Sequence, residues 1–200
     1  MGHGLHPPLR SEASDRNGIT MSRIVNSTFV SLDGVINHMD QWHFDFVDDE
    51  SDAIALNQLR DSDAMLMGRR TYEIYADAWS GREGEYADGI NAITKYVASK
   101  TLRQADWANT TVLAGDLAGS VAGLKQAHDR DILMHGYGPV AKTLVREGLL
   151  DELYLWLHPM LAGVGTTDDM LFSDGLNTRL TLLDVRTPRS GVVLLRYEVT

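Results

Sequence analysis

The sequence predicts an α/β fold in which a mostly parallel sheet lies between helix layers and ends in antiparallel strands. Three observations carry this. Short apolar runs rich in β-branched residues alternate with helically spaced segments along most of the chain, the pattern of strand-helix-strand units that cover a parallel sheet on both faces. Two of these runs end in glycine where a helix opens, at Met67-Gly68-Arg69 and at His135-Gly136-Tyr137-Gly138-Pro139. The last two runs, Leu180 to Val185 and Val192 to Val199, are separated by Pro188 to Gly191, as in a hairpin.

In order, Ile24 to Val30 reads as the first strand, and Ser31-Leu32-Asp33-Gly34 turns the chain. The segment to Asp49 holds Trp42, His43, Phe44 and Phe46 among His38 and several aspartates. It reads either as the wall of a pocket for a planar ligand or as a loop packing its own rings on the core. The histidines and carboxylates fit no ligand spacing, so no metal is expected. Ala53 to Arg60 repeats helically behind Asp48, Asp49, Glu50 and Asp52. That acidic run suits a helix N-terminus, or one carboxylate among it turns inward as an acid or ligand clamp. Asp63 to Met67 is the second strand, and Gly68 opens a helix carrying Arg69, Arg70 and Thr71. Tyr96-Val97-Ala98 is the third strand, followed by Ser99-Lys100-Thr101, which reads as a phosphate site or as a solvated turn.

Thr110 to Ala114 forms a further strand and Ser120 to His128 a short helix. The central strand begins at Ile132 and passes through Gly136 and Gly138 into a helix with Val140, Ala141, Leu144 and Val145 on one face and Gly148 at its C-terminal end. Glycines at such a junction let the backbone approach a ligand, and the uncommitted N–H groups of the helix favour a phosphate, although a lone Gly-x-Gly also serves plain punctuation. Leu153 to Leu157 fits a strand covered on both faces.

At 200 residues the chain fits one domain, spanning 21–200 behind a polar, aperiodic leader at 1–20 with no apolar signal-peptide core. Cysteine is absent, which excludes disulfides and thiolate metal sites and suits a cytoplasmic setting. A formal charge of −10 opposes broad binding to nucleic acid, so an anion site must be a local basic cluster. No run of about eighteen apolar residues offers a membrane-spanning helix.

Taken together, Ser31-Leu32-Asp33-Gly34, Met67-Gly68-Arg69-Arg70-Thr71-Tyr72-Glu73, Ala98-Ser99-Lys100-Thr101, His135-Gly136-Tyr137-Gly138-Pro139-Val140, Leu149 to Leu153 and Pro159-Met160-Leu161-Ala162-Gly163 resemble the dihydrofolate reductase superfamily. The branch they resemble is that of the C-terminal reductase domain of the bifunctional riboflavin-biosynthesis deaminase-reductase. The resemblance implies a three-layer αβα, dihydrofolate-reductase-like fold that binds NADPH along the C-terminal edge of its sheet. It implies that Gly68, Arg69, Arg70 and Thr71 face the cofactor phosphates and that Ser99, Lys100 and Thr101 lie beside the adenosine ribose, with Arg69 and Lys100 as partners of the 2′-phosphate. Gly136, Tyr137, Gly138, Pro139 and Val140 would wrap the pyrophosphate and nicotinamide ribose, and Val35 and Ile36 would flank the nicotinamide. Counting back from Met67-Gly68 to the carboxylate that holds a pteridine lands on Asp52, behind a loop that departs from the folate-reducing members in length and content.

The expected reaction is hydride transfer from NADPH to a small heterocyclic or sugar-linked acceptor, a pteridine or ribosylaminopyrimidine. Its rivals are a non-catalytic nucleotide-binding protein of the same fold and an interaction module with an empty cleft. The Tyr154-Leu155-Trp156 region and the closing hairpin are surfaces that could support a homodimer, as in related riboflavin-pathway reductase domains.

Overall fold

The computed structural model describes residues 21–171 and 175–200; the leader expected at 1–20 lies outside them. Eight strands form one sheet: β1 (Ile24–Ser31), β2 (Ser62–Gly68), β3 (Thr94–Ala98), β4 (Thr110–Leu113), β5 (Asp131–His135), β6 (Glu152–His158), β7 (Leu180–Arg186) and β8 (Val193–Val199). Their order is β4-β3-β2-β5-β1-β6-β8-β7. The first six are parallel neighbours, while β8 pairs antiparallel with both β6 and β7. Both the mostly parallel sheet and the antiparallel C-terminal strands are as the sequence predicts.

Among the described residues five α-helices connect them: α1 (Asp49–Arg60), α2 (Arg69–Trp79), α3 (Glu85–Ala92), α4 (Leu117–Ala127) and α5 (Pro139–Arg146). Alternation along the strands separates two cores. Leu59 of α1, Tyr72 of α2 and Ile90 of α3 pack with Met65, Met67, Val97 and Leu133. Val121 of α4 and Ala141, Leu144 and Val145 of α5 pack with Ile24, Leu66, Ile132 and Met134. The sheet therefore carries α1, α2 and α3 on one face and α4 and α5 on the other. A smaller cluster of Trp156, Val192 and Leu194 takes in Phe29, Phe46 and Ile54.

Three differences from the expected elements have physical causes. Helix α1 begins at Asp49 rather than Ala53, because Asp48 caps it: Asp48 Oδ1 accepts from Ser51 N at 2.7 Å while Ser51 Oγ accepts from Asp48 N at 2.9 Å. Helix α3 has no counterpart in the sequence reading, and Gly89 explains both its illegibility and its role. Glycine inside a helix costs about 1 kcal/mol, yet a Cβ there would stand 2.9 Å from Leu59 Cδ2 of α1. The proposed association surface also changes: β6 is an interior strand with Trp156 in the core, so of the two regions only the hairpin is an edge. There Leu180, Leu182, Leu183 and Val185 of β7 are exposed.

Candidate functional site

Strands β1 and β5 are neighbours, but their connections part: β1 leads through α1 to β2 on one side, and β5 leads through α5 to β6 on the other. A crevice opens at the carboxyl ends of such a pair, where open α/β sheets bind ligands. The predicted cofactor residues lie along that carboxyl edge, from the end of β3 through β2 and β5 to the end of β1.

The two glycine junctions meet across the β2–β5 pair. Gly68 caps α2 and Gly138 caps α5, neither with a side-chain hydrogen bond, whereas α1 and α4 are capped by Asp48 and Asp116. Backbone N–H groups at the heads of α2 and α5 are thus left to an anion or water. The approach is close. A Cβ on Gly68 would stand 3.3 Å from Val140 Cγ2, and one on Gly136, whose φ is +76°, would stand 3.4 Å from Thr71 Oγ1. Pro139 occupies the first turn of α5, where its missing N–H costs nothing.

Arg69 brings in the third stretch: its Nη1 donates to Thr101 Oγ1 at 2.8 Å and its Nε to Glu73 Oε1 at 2.7 Å. Ser99 Oγ accepts from the backbone N–H of Thr101 and Leu102 at 3.2 and 3.0 Å, which folds Ser99-Lys100-Thr101 into a tight turn with Lys100 exposed. Arg70 diverges from Arg69 and faces Asp169, its Nη1 3.7 Å from Oδ1. Asp169 also accepts from Thr166 N at 2.8 Å and Asn37 Nδ2 at 2.9 Å; the Thr166 and Asn37 hydrogen bonds hold its carboxyl far below the usual range. Tyr137 turns its ring into the core beside α5, so only its backbone is placed at the junction.

Val35 and Ile36 are buried, and both are tied to Asp169 and Met170: Val35 bridges to Met170, and Ile36 N donates to Asp169 O at 2.8 Å. Two distant motifs meet at Asp33, which accepts from Ser31 Oγ at 2.5 Å, Ala162 N at 3.0 Å and Gly163 N at 2.8 Å. Those donors, Ser31 foremost, pull its carboxyl down to about 2.

Asp52 sits in the first turn of α1, largely exposed. Partial burial, then the charges of Asp49 and Asp48, push its carboxyl above the ordinary value. Burial and then the Asp52 charge push the neighbouring Tyr86 phenol up to about 12.

Behind α1 the structure adds contacts that the sequence did not reveal. Trp156 Nε1 donates to Ser27 Oγ at 2.8 Å, and Ser27 Oγ donates to Gln58 Oε1 at 3.0 Å. Ser27 is the register partner of His135, whose ring stacks on Tyr75 with centroids 5.4 Å apart. Strand alternation was the only sequence signal available: His135 follows Leu133 by two and shares its face. At the next strand end, His158 Nε2 lies 3.0 Å from His43 Nδ1, and Trp42, Phe29 and Phe46 set their rings against His158. The aromatic loop therefore does pack its rings onto the sheet.

The model of the RibD C-terminal domain family matches residues 23–194. The Bacillus subtilis protein YyaP is 27% identical over 189 residues, covering 91% of this chain and 97% of its own. Among solved structures, a protein of Shewanella sp. PV-4 provisionally assigned to riboflavin biosynthesis superposes with a TM-score of 0.69 at 19% identity, over 89% of this chain and 99% of that one. The Thermotoga maritima diaminohydroxyphosphoribosylaminopyrimidine deaminase/5-amino-6-(5-phosphoribosylamino)uracil reductase superposes with a TM-score of 0.63 at 12% identity, over 90% of this chain and 57% of that longer one. These likenesses are of fold, and the fold is the dihydrofolate-reductase-like one. Given the extent of the family match, with the glycine junctions inside it, the chain belongs to the RibD C-terminal domain family.

Proposed function

We propose that the protein is an NADPH-dependent reductase that passes hydride to a small heterocyclic acceptor of the pteridine or ribosylaminopyrimidine kind, in a cytoplasmic setting. The observation that carries this reading is the meeting of two helix N-termini capped only by glycine, with Arg69 joined to the Ser99–Thr101 turn beside them. The residues present fit a phosphorylated dinucleotide. Gly68 and Gly136 let the two junctions approach each other, a Cβ at each standing 3.3 and 3.4 Å from Val140 Cγ2 and Thr71 Oγ1, and the N–H groups of α2 and α5 brought together in this way suit a pyrophosphate. Arg69 and Lys100 suit a 2′-phosphate, and buried Val35 and Ile36 make an apolar wall near the end of β1. When bound, the reduced nicotinamide supplies the hydride. The chain's part is to hold donor and acceptor in register and to exclude water. Asp52, raised as described, holds or supplies a proton at a ring nitrogen in this reading.

Calorimetric titration with NADPH and, in parallel, NADH tests it. Binding with a preference for NADPH is expected. Arg69→Ala and Lys100→Ala should each weaken NADPH by about tenfold, ~1.4 kcal/mol, with less effect on NADH. Equal losses for the two cofactors remove the 2′-phosphate assignment, and binding of neither removes the reductase. NADPH binding without oxidation in the presence of any pteridine or aminopyrimidine favours a nucleotide-binding protein instead.

A further inference from the structure

Among the described residues, five buried side-chain polar atoms have no hydrogen-bond partner, and three of them, Asn26 Oδ1, Gln58 Nε2 and His135 Nε2, belong to residues around the β1–β5 junction. Buried polar groups are nearly always paired, so each such atom calls for a partner that the chain does not supply. Asn26 lies on the α5 face, where its Nδ2 is spent on Gly136 O at 2.8 Å. Gln58 and His135 lie on the α1 face, both against Ser27.

The orientation of Gln58 follows from the group at the start of the chain of bonds. An indole N–H can only donate. Trp156 Nε1 donates to Ser27 Oγ, which leaves the Ser27 hydroxyl proton for Gln58 Oε1. The carboxamide carbonyl is thereby used, and its NH2 donors face away from Ser27 with nothing to receive them. The imidazole of His135 is held by its stack on Tyr75. Burial keeps it neutral, its pKa drawn down to about 4, so one ring nitrogen is available as an acceptor. A buried amide donor and a buried imidazole nitrogen, neither with a partner, thus stand beside one strand pair, at the switch point where ligands enter such sheets.

We infer that Gln58 and His135 read the acceptor substrate through a cyclic amide edge, with Gln58 Nε2 donating to a ring carbonyl and His135 Nε2 accepting the adjacent ring N–H. This rests on the reductase reading for the identity of the site as the acceptor pocket, but the recognition itself does not require the cofactor. It assigns these two side chains to specificity. A site built to hydrogen-bond a polar edge rejects an analogue that lacks it, because its own buried groups then stay unpaired.

The test is calorimetry on the full chain with 5,6-diaminouracil and with 1,3-dimethyl-5,6-diaminouracil, whose ring N–H groups are blocked. The first should bind at least tenfold more tightly than the second. In Gln58→Met and in His135→Leu that discrimination should fall to within about twofold, with NADPH affinity kept and the far-ultraviolet spectrum unchanged. Failure of the wild type to bind 5,6-diaminouracil overturns the inference, as does equal binding of the two compounds or unaltered discrimination in both variants, which would leave water as the partner of the two atoms. The reductase reading fails separately: discrimination that depends on Gln58 and His135 in a protein that binds no NADPH keeps the amide-reading site and removes the cofactor.

Discussion

A neutral imidazole has one proton to give, and His158 gives it to the carbonyl of Trp156, 2.8 Å from its Nδ1. Its Nε2 is then an acceptor, so His43 must donate from Nδ1 across the 3.0 Å contact. His43 lies flat on Phe29 with ring centroids 4.0 Å apart, and the pair closes the aromatic loop onto the sheet. Burial, and secondarily the neighbouring His158, lowers the pKa of His43 from the ordinary 6.5 to about 4. Burial lowers His158 as well. A depressed histidine binds protons more readily in the unfolded chain, so stability is full above about 6.5 and falls as the pH drops through the window down to about 4. His43→Phe keeps the stack and leaves Nε2 of His158 without its donor. We expect a loss of about 1–3 kcal/mol at pH 7.5. The gap should narrow toward pH 5, where only the wild type loses the contribution of a neutral His43. Denaturant unfolding across that range measures it; a gap independent of pH would exclude His43 as the titrating partner.

At the scale of elements, the turns at the sheet's carboxyl edge, where the proposed cofactor site lies, are sensitive to single atoms. Gly136 combines a φ of +76° with Thr71 Oγ1 at 3.4 Å from where a Cβ would be, while Gly148, with a φ of +64° at the end of α5, has open space around it. Alanine at either position should cost about 1–2 kcal/mol of stability through the left-handed backbone. Only Gly136→Ala should also weaken nucleotide binding, because its methyl would fill the gap beside Thr71 Oγ1 at the head of α2, where the phosphates are proposed to lie. Paired unfolding and calorimetry on the two variants separate these effects, and equal loss of nucleotide in both would detach Gly136 from the site. The same locality decides what the sequence reveals. Strands β1, β2, β5 and β6 and the glycine junctions are contiguous signals, each complete within about ten residues, and they are read without the fold. Helix α3 is not, since Gly89 lowers its propensity and its justification is a contact with Leu59 thirty positions earlier. Nor are the partners Ser27, Gln58 and His135, which meet only once the β1–β5 register is known. Arg70 and Tyr137 show the limit from the other side: motif position puts their backbone at the strand-to-helix junctions, but Asp169 and the core, far off in sequence, decide where their side chains go.

Across the whole molecule, charge is arranged by end. At the amino-terminal edge of the sheet, Arg23 bonds Asp131 at 2.7 Å and Glu152 at 2.5 Å, Arg196 bonds Glu152 at 2.8 Å, and Lys125 bonds Asp151 at 2.6 Å. These pairs tie β1, β5, β6 and β8 together where no ligand is needed. A cleft of about 490 Å³ between α1, α3 and β2, lined by Arg60, Asp63, Glu85 and Arg130, also lies away from the glycine junctions. At the opposite edge the heads of α2 and α5 have no side-chain cap. Along the sheet's width the asymmetry is one of cover: β7 is an outer strand with Leu180 37%, Leu182 52%, Leu183 43% and Val185 48% exposed, apolar on both of its faces. A bare apolar edge invites pairing with another chain unless something covers it, and a second copy of the same strand is self-complementary under two-fold symmetry. The prediction is a homodimer through β7, with twice the 22.2 kDa chain mass in sedimentation at micromolar concentration. Leu182→Lys combined with Leu183→Lys should shift the protein to the monomer while leaving NADPH binding intact, since both positions are remote from the glycine junctions along the sheet. A wild type that sediments as a monomer at that concentration would show that β7 is tolerated bare.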